Sequence, residues 1–503
     1  MNTFTSDQGY SGEDIFCADL LSTAEGCRSG HSTIDMLSDD ELLCIFDFYR
    51  RQWDSDIWPW DDFVHVCRRW RRIIFGYSSY LKLYLTCKSK TDVQEMLDIW
   101  PVLPLIFHAN LDDKNADEDD IIGALEHRDR MAGIYIRAFE CSQSTLKKCG
   151  ASMQEPFPVL TSLGFKGDEE MMFVTTDAFL GGSAPLLQRI CVGGIRFPGL
   201  PKLLSSTSDL VYLTLEDFPM TGEGHIPPDA MTTCLSVLTK LQSLTLTFLR
   251  HPPSRYPADQ RPPPSTHTVL PALTNLLLEG PYGYLEDLVG RVDAPVLNSG
   301  KLEFYDEPGF DTPRVPQFIH RTKMFELPCK VQVQFCKRKE YALHTLHGVD
   351  VHASFLSSIS PEKFYLSFPC AFFRAQAAIT GRIFAQCPPL VSRVEFLELG
   401  DNCSEQKKWW EAVTSGPGFF RQFTAVQTLQ LPVIGEVPLF AHMLGRLEGE
   451  RATGVLPALR TIELVCPELL VCARSETLCV LLPFLVAREE AEHPVIVNVV
   501  HES

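Results

Sequence analysis

The sequence predicts an α/β repeat architecture in which a small helical module, residues 33–80, precedes a repetitive array over residues 81–500. Three observations carry the prediction. Two amphipathic helix patterns lie close together near the N-terminus. A leucine phrase of the form L-x-x-L-x-L then recurs nine times. Prolines 158, 185, 271, 295 and 457 each stand two residues before the first apolar anchor of a copy, marking the entry to a unit.

The first helix begins at Ser38. Ser38 and Glu41 form S-x-x-E, the pattern in which each side chain satisfies an orphan backbone donor of the other. Leu37 and Leu42 flank that box at the spacing of a hydrophobic staple. Asp39, Asp40 and Glu41 set negative charge on the positive end of the helix dipole. Leu42, Ile45, Phe46 and Tyr49 recur at i, i+3, i+4, i+7, and Leu43 widens the stripe.

The second pattern places Phe63, Val66, Cys67, Trp70 and Ile74 on one face of a single helix. His65, Arg68, Arg69, Arg71 and Arg72 fall on the other, which reads as a solvated face in preference to a nuclear-localisation signal. Trp53, Trp58, Pro59 and Trp60 between the helices need apolar cover from the helices or a partner. So few residues cannot bury so many large apolar groups alone, and the module reads as an incomplete core that a second polypeptide completes.

The array phrases start at Leu160, Leu187, Leu210, Leu241, Leu273, Val394, Val426 and Leu459, with a slipped copy from Leu297 to Leu302 and Phe304. In each unit the last two apolar residues flank one outward residue, which is the two-residue period of a strand. Neighbouring anchors lie 23 to 33 residues apart except for one gap of 97, room for three or four degenerate units. Lys330–Phe335 and Phe364–Phe368 supply strand candidates inside that gap, and Leu81–Leu85, Pro104–His108 and Gly133–Arg137 supply earlier ones. A turn-capping Asn follows only one copy, at Asn402, so a continuous Asn ladder is not expected.

The net charge of −19 argues against nucleic acid as a partner, because phosphate binding needs a basic field. Neither a secretory leader nor an apolar run near the ~20 residues of a membrane span is visible. Scattered cysteines without such a leader fit reduced thiols in the cytoplasm or nucleus. No P-loop, G-x-G-x-x-G or G-x-S-x-G occurs. His344, His347 and His352 lack a metalloprotease spacing, and the pairs Cys466/Cys472 and Cys329/Cys336 are too widely spaced for a zinc half-site. Catalytic residues, metal and cofactor are therefore all expected to be absent. The acidic run Asp112–Asp120 reads as a solvated loop entering a helix, His251–Pro264 as a surface insertion, and residues 1–32 as a disordered tail.

Two resemblances follow. Leu37, Asp40, Leu43, Ile45 and Phe46, then Val66-Cys67-Arg68-Arg69-Trp70, resemble the F-box, in the form found in large families of mushroom-forming fungi. Ser38 stands where that family usually has Pro, the link between the two halves is longer than usual, and the Trp that often closes the motif is absent, with Tyr80-Leu81 nearby. The recurring phrase resembles irregular leucine-rich repeats. The resemblance implies a non-catalytic substrate receptor of a Skp–cullin–F-box ubiquitin ligase, acting in ubiquitin-dependent degradation. A Skp-type adaptor and cullin would be its partners, with adaptor-binding residues drawn from Leu37, Leu42, Leu43, Ile45, Phe46, Val66, Cys67 and Trp70. Which of these form the module's own core the sequence leaves open. The outward strand face, with Arg189, Tyr212, Tyr305 and Glu398, would meet an unknown target protein. The alternative is a non-degradative leucine-rich-repeat scaffold that binds proteins without feeding a ligase.

Overall fold

Ser38 and Glu41 cap the first helix reciprocally. The Ser38 amide donates to Glu41 Oε2 at 2.6 Å, and the Glu41 amide donates to Ser38 Oγ at 3.2 Å. The Ser38 donors hold the Glu41 carboxyl below its usual range. The computed structural model that shows this describes residues 34–52, 60–76, 83–87, 93–99, 102–112, 117–167, 173–174, 177–219, 222, 224–249, 267–306, 314–322, 328–337, 349–357, 363–370, 376–401, 417–433, 437–447, 449–466 and 471–501. The predicted tail, the tryptophans at 53 and 58, the insertion at 251–264, His344, His347 and Asn402 lie outside those residues. The chain divides into two units, residues 1–81 and 82–503.

In the first unit a 3-10 turn, Ile34–Met36, precedes α1 (Asp39–Gln52), α2 (Trp60–Val66) and α3 (Arg68–Gly76). Its core is Leu42, Phe46, Phe63, Val64, Ile73 and Ile74, all buried. The Phe46 ring lies 5.0 Å from that of Phe63 and meets Trp70 edge-on at 4.8 Å. The single second helix expected from sequence is in fact two. The chain breaks at Cys67, whose Sγ accepts the Trp70 amide at 3.4 Å and so caps the start of α3.

The second unit is built on one sixteen-stranded, mostly parallel sheet. Its strands are β1 (Leu83–Cys87), β2 (Leu105–Asn110), β3 (Met131–Ala138), β4 (Ser162–Gly167), β5 (Arg189–Gly193), β6 (Tyr212–Phe218), β7 (Ser243–Phe248), β8 (Asn275–Gly280), β9 (Ser299–Phe304), β10 (Pro328–Lys337), β11 (Val349–Ser357), β12 (Lys363–Cys370), β13 (Phe396–Asp401), β14 (Thr428–Pro432), β15 (Thr461–Cys466) and β16 (Ile496–His501). Each leucine phrase runs into a parallel strand, and the copies align in register. Leu163, Ile190, Leu213, Leu244 and Leu276 form one buried row, and Phe165, Val192, Leu215, Leu246 and Leu278 the next. Alternate residues turn to a half-exposed face, following the two-residue pleat.

Two departures from the sequence expectation have physical causes. The slipped copy does not slip: with Leu297 as its anchor, Gly300 occupies the second-leucine slot in register with Leu276, and Leu302 pairs with Leu278. Phe364, register partner of Gly300 on β12, fills the space a side chain there would take, since a Cβ would meet its ring at 3.0 Å. The 97-residue gap holds no series of parallel units among the described residues. The strand order runs β9-β12-β11-β10-β13, with β11 antiparallel to both neighbours. A meander of three strands, with antiparallel pairing on both sides of β11, thus takes the place of successive parallel crossovers.

Helices and turns join the strands. α4 (Glu118–Glu126) is capped by Asp117, and α5 (Gln143–Ser152) by Ser142. Asp112, from the acidic run, accepts the Phe139 and Glu140 amides at 2.6 Å each, so this carboxylate braces a turn. Towards the β16 end lie α6 (Leu439–Gly445), α7 (Glu450–Thr453) and α8 (Val471–Glu490). Arg488 of α8 is fully buried and donates to the carbonyls of Leu459 at 2.9 Å and His493 at 3.2 Å. Burial lowers its pKa, and those carbonyls are what keep the guanidinium satisfied.

Candidate protein-docking surface

The eight residues singled out in the helical module separate by burial. Leu42 and Phe46 are core, at 0% and 4% exposure. Leu37, Leu43 and Trp70 are half-buried. Ile45 and Val66 are exposed at 43% and 57%, and Cys67 is exposed too. The predicted apolar stripe is therefore divided. Leu42 and Phe46 point inward, while Ile45 belongs to the outer side of α1.

Sequence reading missed the rest of that outer side. Cys44 and Phe48 are exposed, Phe48 at 55%, and they lie one turn apart on α1 with Ile45 between them. At 100° per residue Cys44 and Phe48 lie opposite Leu42 and Phe46, and Ile45 lies on the flank between, about 60° from Leu42. The signal was present in the i, i+4 spacing of Cys44 and Phe48. It was hidden because a helix apolar on both sides shows no single stripe. Ile34 and Met36, in the turn before α1, add further exposed apolar surface, at 51% and 75%.

Arg68, Arg71 and Arg72 are exposed, as the solvated-face reading expects, whereas Arg69 is half-buried and departs from it. Arg69 donates to Asp39 Oδ1 through Nε at 2.9 Å and Nη2 at 2.7 Å, and Arg71 Nε donates to the Val64 carbonyl at 2.9 Å. Arg72 remains on the surface, 3.9 Å from Asp39 Oδ2.

On the sheet, the half-exposed face forms rows across the strands. One runs Cys191, Thr214, Thr245, Leu277, Lys301 and Tyr365, and continues through Ser354, Gln332, Glu398, Gln430 and Glu463 to Asn498. Of the four residues named there from sequence, Arg189 and Tyr212 come together. They are register partners, and the guanidinium sits 4.9 Å from the ring centre. Tyr305 donates its hydroxyl to the Phe248 carbonyl at 2.9 Å. Glu398 accepts from Lys330 at 3.1 Å and Gln332 at 2.6 Å. These last two are engaged within the protein. His352, from the histidine cluster, stacks on Tyr365 and bonds its hydroxyl.

Among the described residues no group of His, Cys, Asp and Glu could hold a metal ion, and no helix is long and apolar enough to cross a membrane. Buried thiols such as Cys387 are pushed up to about 12 by desolvation, the opposite of an activated nucleophile. No protein-family model matches this chain, and a comparison with curated proteins found no match.

Proposed function

We propose that this chain is a substrate receptor of a Skp–cullin–F-box ubiquitin ligase, in which the helical module is an F-box that docks a Skp-type adaptor and the sheet unit is an irregular leucine-rich-repeat array that binds a target protein. One observation supports it above the others. The module closes a core of its own around Phe46 and still presents Ile45, Phe48 and Val66 to solvent. Exposed side chains of that size on so short a segment mark a surface that another protein covers. The chain itself makes no bond in this reading. It holds the target beside the ubiquitin-loaded enzyme and raises the effective concentration there. Target contact falls to the half-exposed strand face, where the Arg189–Tyr212 pair offers a planar cation on an aromatic ring.

The test is co-purification of the full chain with a Skp-type adaptor and cullin. Ile45→Asp with Phe48→Asp removes two exposed apolar groups, each worth about 1.5–3 kcal/mol when buried, so adaptor affinity should fall about 100-fold or more. Unchanged circular dichroism would show that the fold survives. Undiminished adaptor binding by that variant would overturn the assignment, and adaptor without cullin would favour a scaffold outside a ligase.

A further inference from the structure

Planar side chains follow one another across the first strands of the sheet, with one place left open. On the half-exposed face Tyr84 of β1 stacks on His108 of β2, ring centres 5.9 Å apart and planes 21° from parallel. His108 stacks in turn on Tyr135 of β3, at 4.7 Å and 15°. Two strands further on, the Arg189 guanidinium of β5 lies 4.9 Å from the ring centre of Tyr212 on β6. Between Tyr135 and Arg189 stands β4, which sets only Ser162 and Gly164 into the gap.

We infer that this gap is a recognition slot for one aromatic side chain of a target protein, held flat between the Tyr135 ring and the Arg189 guanidinium. The inference rests on the sheet unit being the part of the chain that binds a target. Register sets the two walls opposite each other, since Tyr135 pairs with Gly164 and Ser162 pairs with Arg189. The Tyr135 hydroxyl and Ser162 Oγ are bonded at 2.7 Å, which draws the ring towards Arg189's row. One face of that ring is against His108, so the other looks across β4 towards β5. Gly164 permits the placement, because a Cβ there would stand 2.6 Å from Tyr135 Cδ1. A ring drawn halfway from β3 to β4 lies about one and a half strand spacings, roughly 7 Å, from a group on β5. That is the room one planar group needs to touch both walls at about 3.5 Å each.

The chemistry of the walls selects the occupant. A guanidinium repels a cationic side chain and attracts the negative face of a ring. Arg189 is exposed, and among the described residues it forms no ion pair, so its charge is available to an incoming ring. The Ser162 hydroxyl at the floor can accept from an indole N–H or a phenol O–H, which favours Trp and Tyr over Phe. A nucleobase has the same thickness, but its phosphate would enter the field of a chain that carries −19.

Saturation-transfer NMR of the full chain with the blocked tripeptide Gly-Trp-Gly tests the slot, with the Leu and Arg counterparts alongside. Saturation should concentrate on the indole, with a dissociation constant on the order of 1 mM. The Leu and Arg peptides should bind about 5-fold more weakly or worse, and Arg189→Ala should weaken the Trp peptide about 5-fold. Cys191→Leu sets a branched side chain beside Gly164 from β5 and should abolish binding. Glu463→Ala, far along the same face, should change nothing. Unaltered thermal unfolding would show that each variant keeps its fold. Peptide binding by a chain that captures no adaptor would refute the ligase assignment and uphold the slot, and adaptor capture without peptide binding would do the reverse. No saturable binding by ~10 mM, equal binding of the Leu peptide, indifference to Arg189→Ala, or adenosine bound more tightly than the Trp peptide would each overturn the slot.

Discussion

Arg69 and Asp39, thirty residues apart in sequence, are held together by two hydrogen bonds from one guanidinium to a single carboxylate oxygen. The same Nη2 also reaches the Leu37 carbonyl at 2.5 Å. The contact fastens α3 to the first turn of α1. At 28% exposure Arg69 is partly shielded, so solvent screens the pair less than it would on an open surface.

Arg69→Ala should therefore loosen the whole module. A charge-assisted bond of this kind is worth about 1.5–3 kcal/mol before screening, so about 1–2 kcal/mol is expected here. Arg69→Lys should recover little, because one ammonium cannot supply the planar fork. Amide hydrogen exchange over residues 38–48 reads the effect. Protection unchanged in Arg69→Ala would show that the contact contributes nothing.

Core and surface apolar residues of α1 should respond differently to charge. Leu42→Asp buries a carboxylate at a fully enclosed position and should unfold the module, abolishing any docking indirectly. Ile45→Asp or Phe48→Asp should leave exchange protection intact. A pair of variants with equal loss of protection would contradict the division drawn between the two sides of the helix.

Cysteine reactivity should follow burial. Burial pushes Cys87, Cys149 and Cys387 up to about 12, whereas an unfolded thiol ionises near ~8.5. The folded state therefore keeps protons that the unfolded state loses. The stability these thiols contribute is complete below pH ~8.5 and declines as pH rises from there towards 12. Chemical denaturation at pH 7.5 and 10 should show the loss, and Cys87→Ala with Cys149→Ala should lessen it. Iodoacetamide at pH 8 should label the exposed Cys44, Cys67 and Cys479 first. Bound adaptor should protect Cys44 and Cys67, and early labelling of Cys387 would contradict the burial.

Two glycines predict opposite signs. A Cβ on Gly445 of α6 would overlap the Val480 carbonyl oxygen of α8, which is backbone and cannot swing aside. Gly445→Ala should cost about 1–3 kcal/mol or more and lower Tm. Gly123 of α4 has nothing within 4 Å of the same position, so Gly123→Ala should raise stability by up to about 1 kcal/mol. Thermal unfolding by calorimetry decides both, and equal Tm values would sink the argument.

The start of α1 was legible in the sequence alone. Ser38 and Glu41 announced the start of α1 because capping is settled within four residues. Phe48 went unnoticed because its exposure depends on what α2 and α3 cover. Arg69 was misread for a related reason, since its partner lies thirty positions away and no periodicity links the two.

The sequence by itself determined the local elements: the capped helix, the helical apolar pattern from Phe63 to Ile74, and the strands whose leucines recur with a two-residue period. Those are short-range matters of sterics, hydrogen bonding and hydrophobic spacing. Only the tertiary structure decided that Gly300 keeps register because Phe364 fills its place. It also decided that the long gap folds into a meander, and that Ile45 and Val66 face outward while Leu42 does not. Each of these depends on which distant surfaces meet, and the free energy of burial belongs to the pair of surfaces, not to either segment alone.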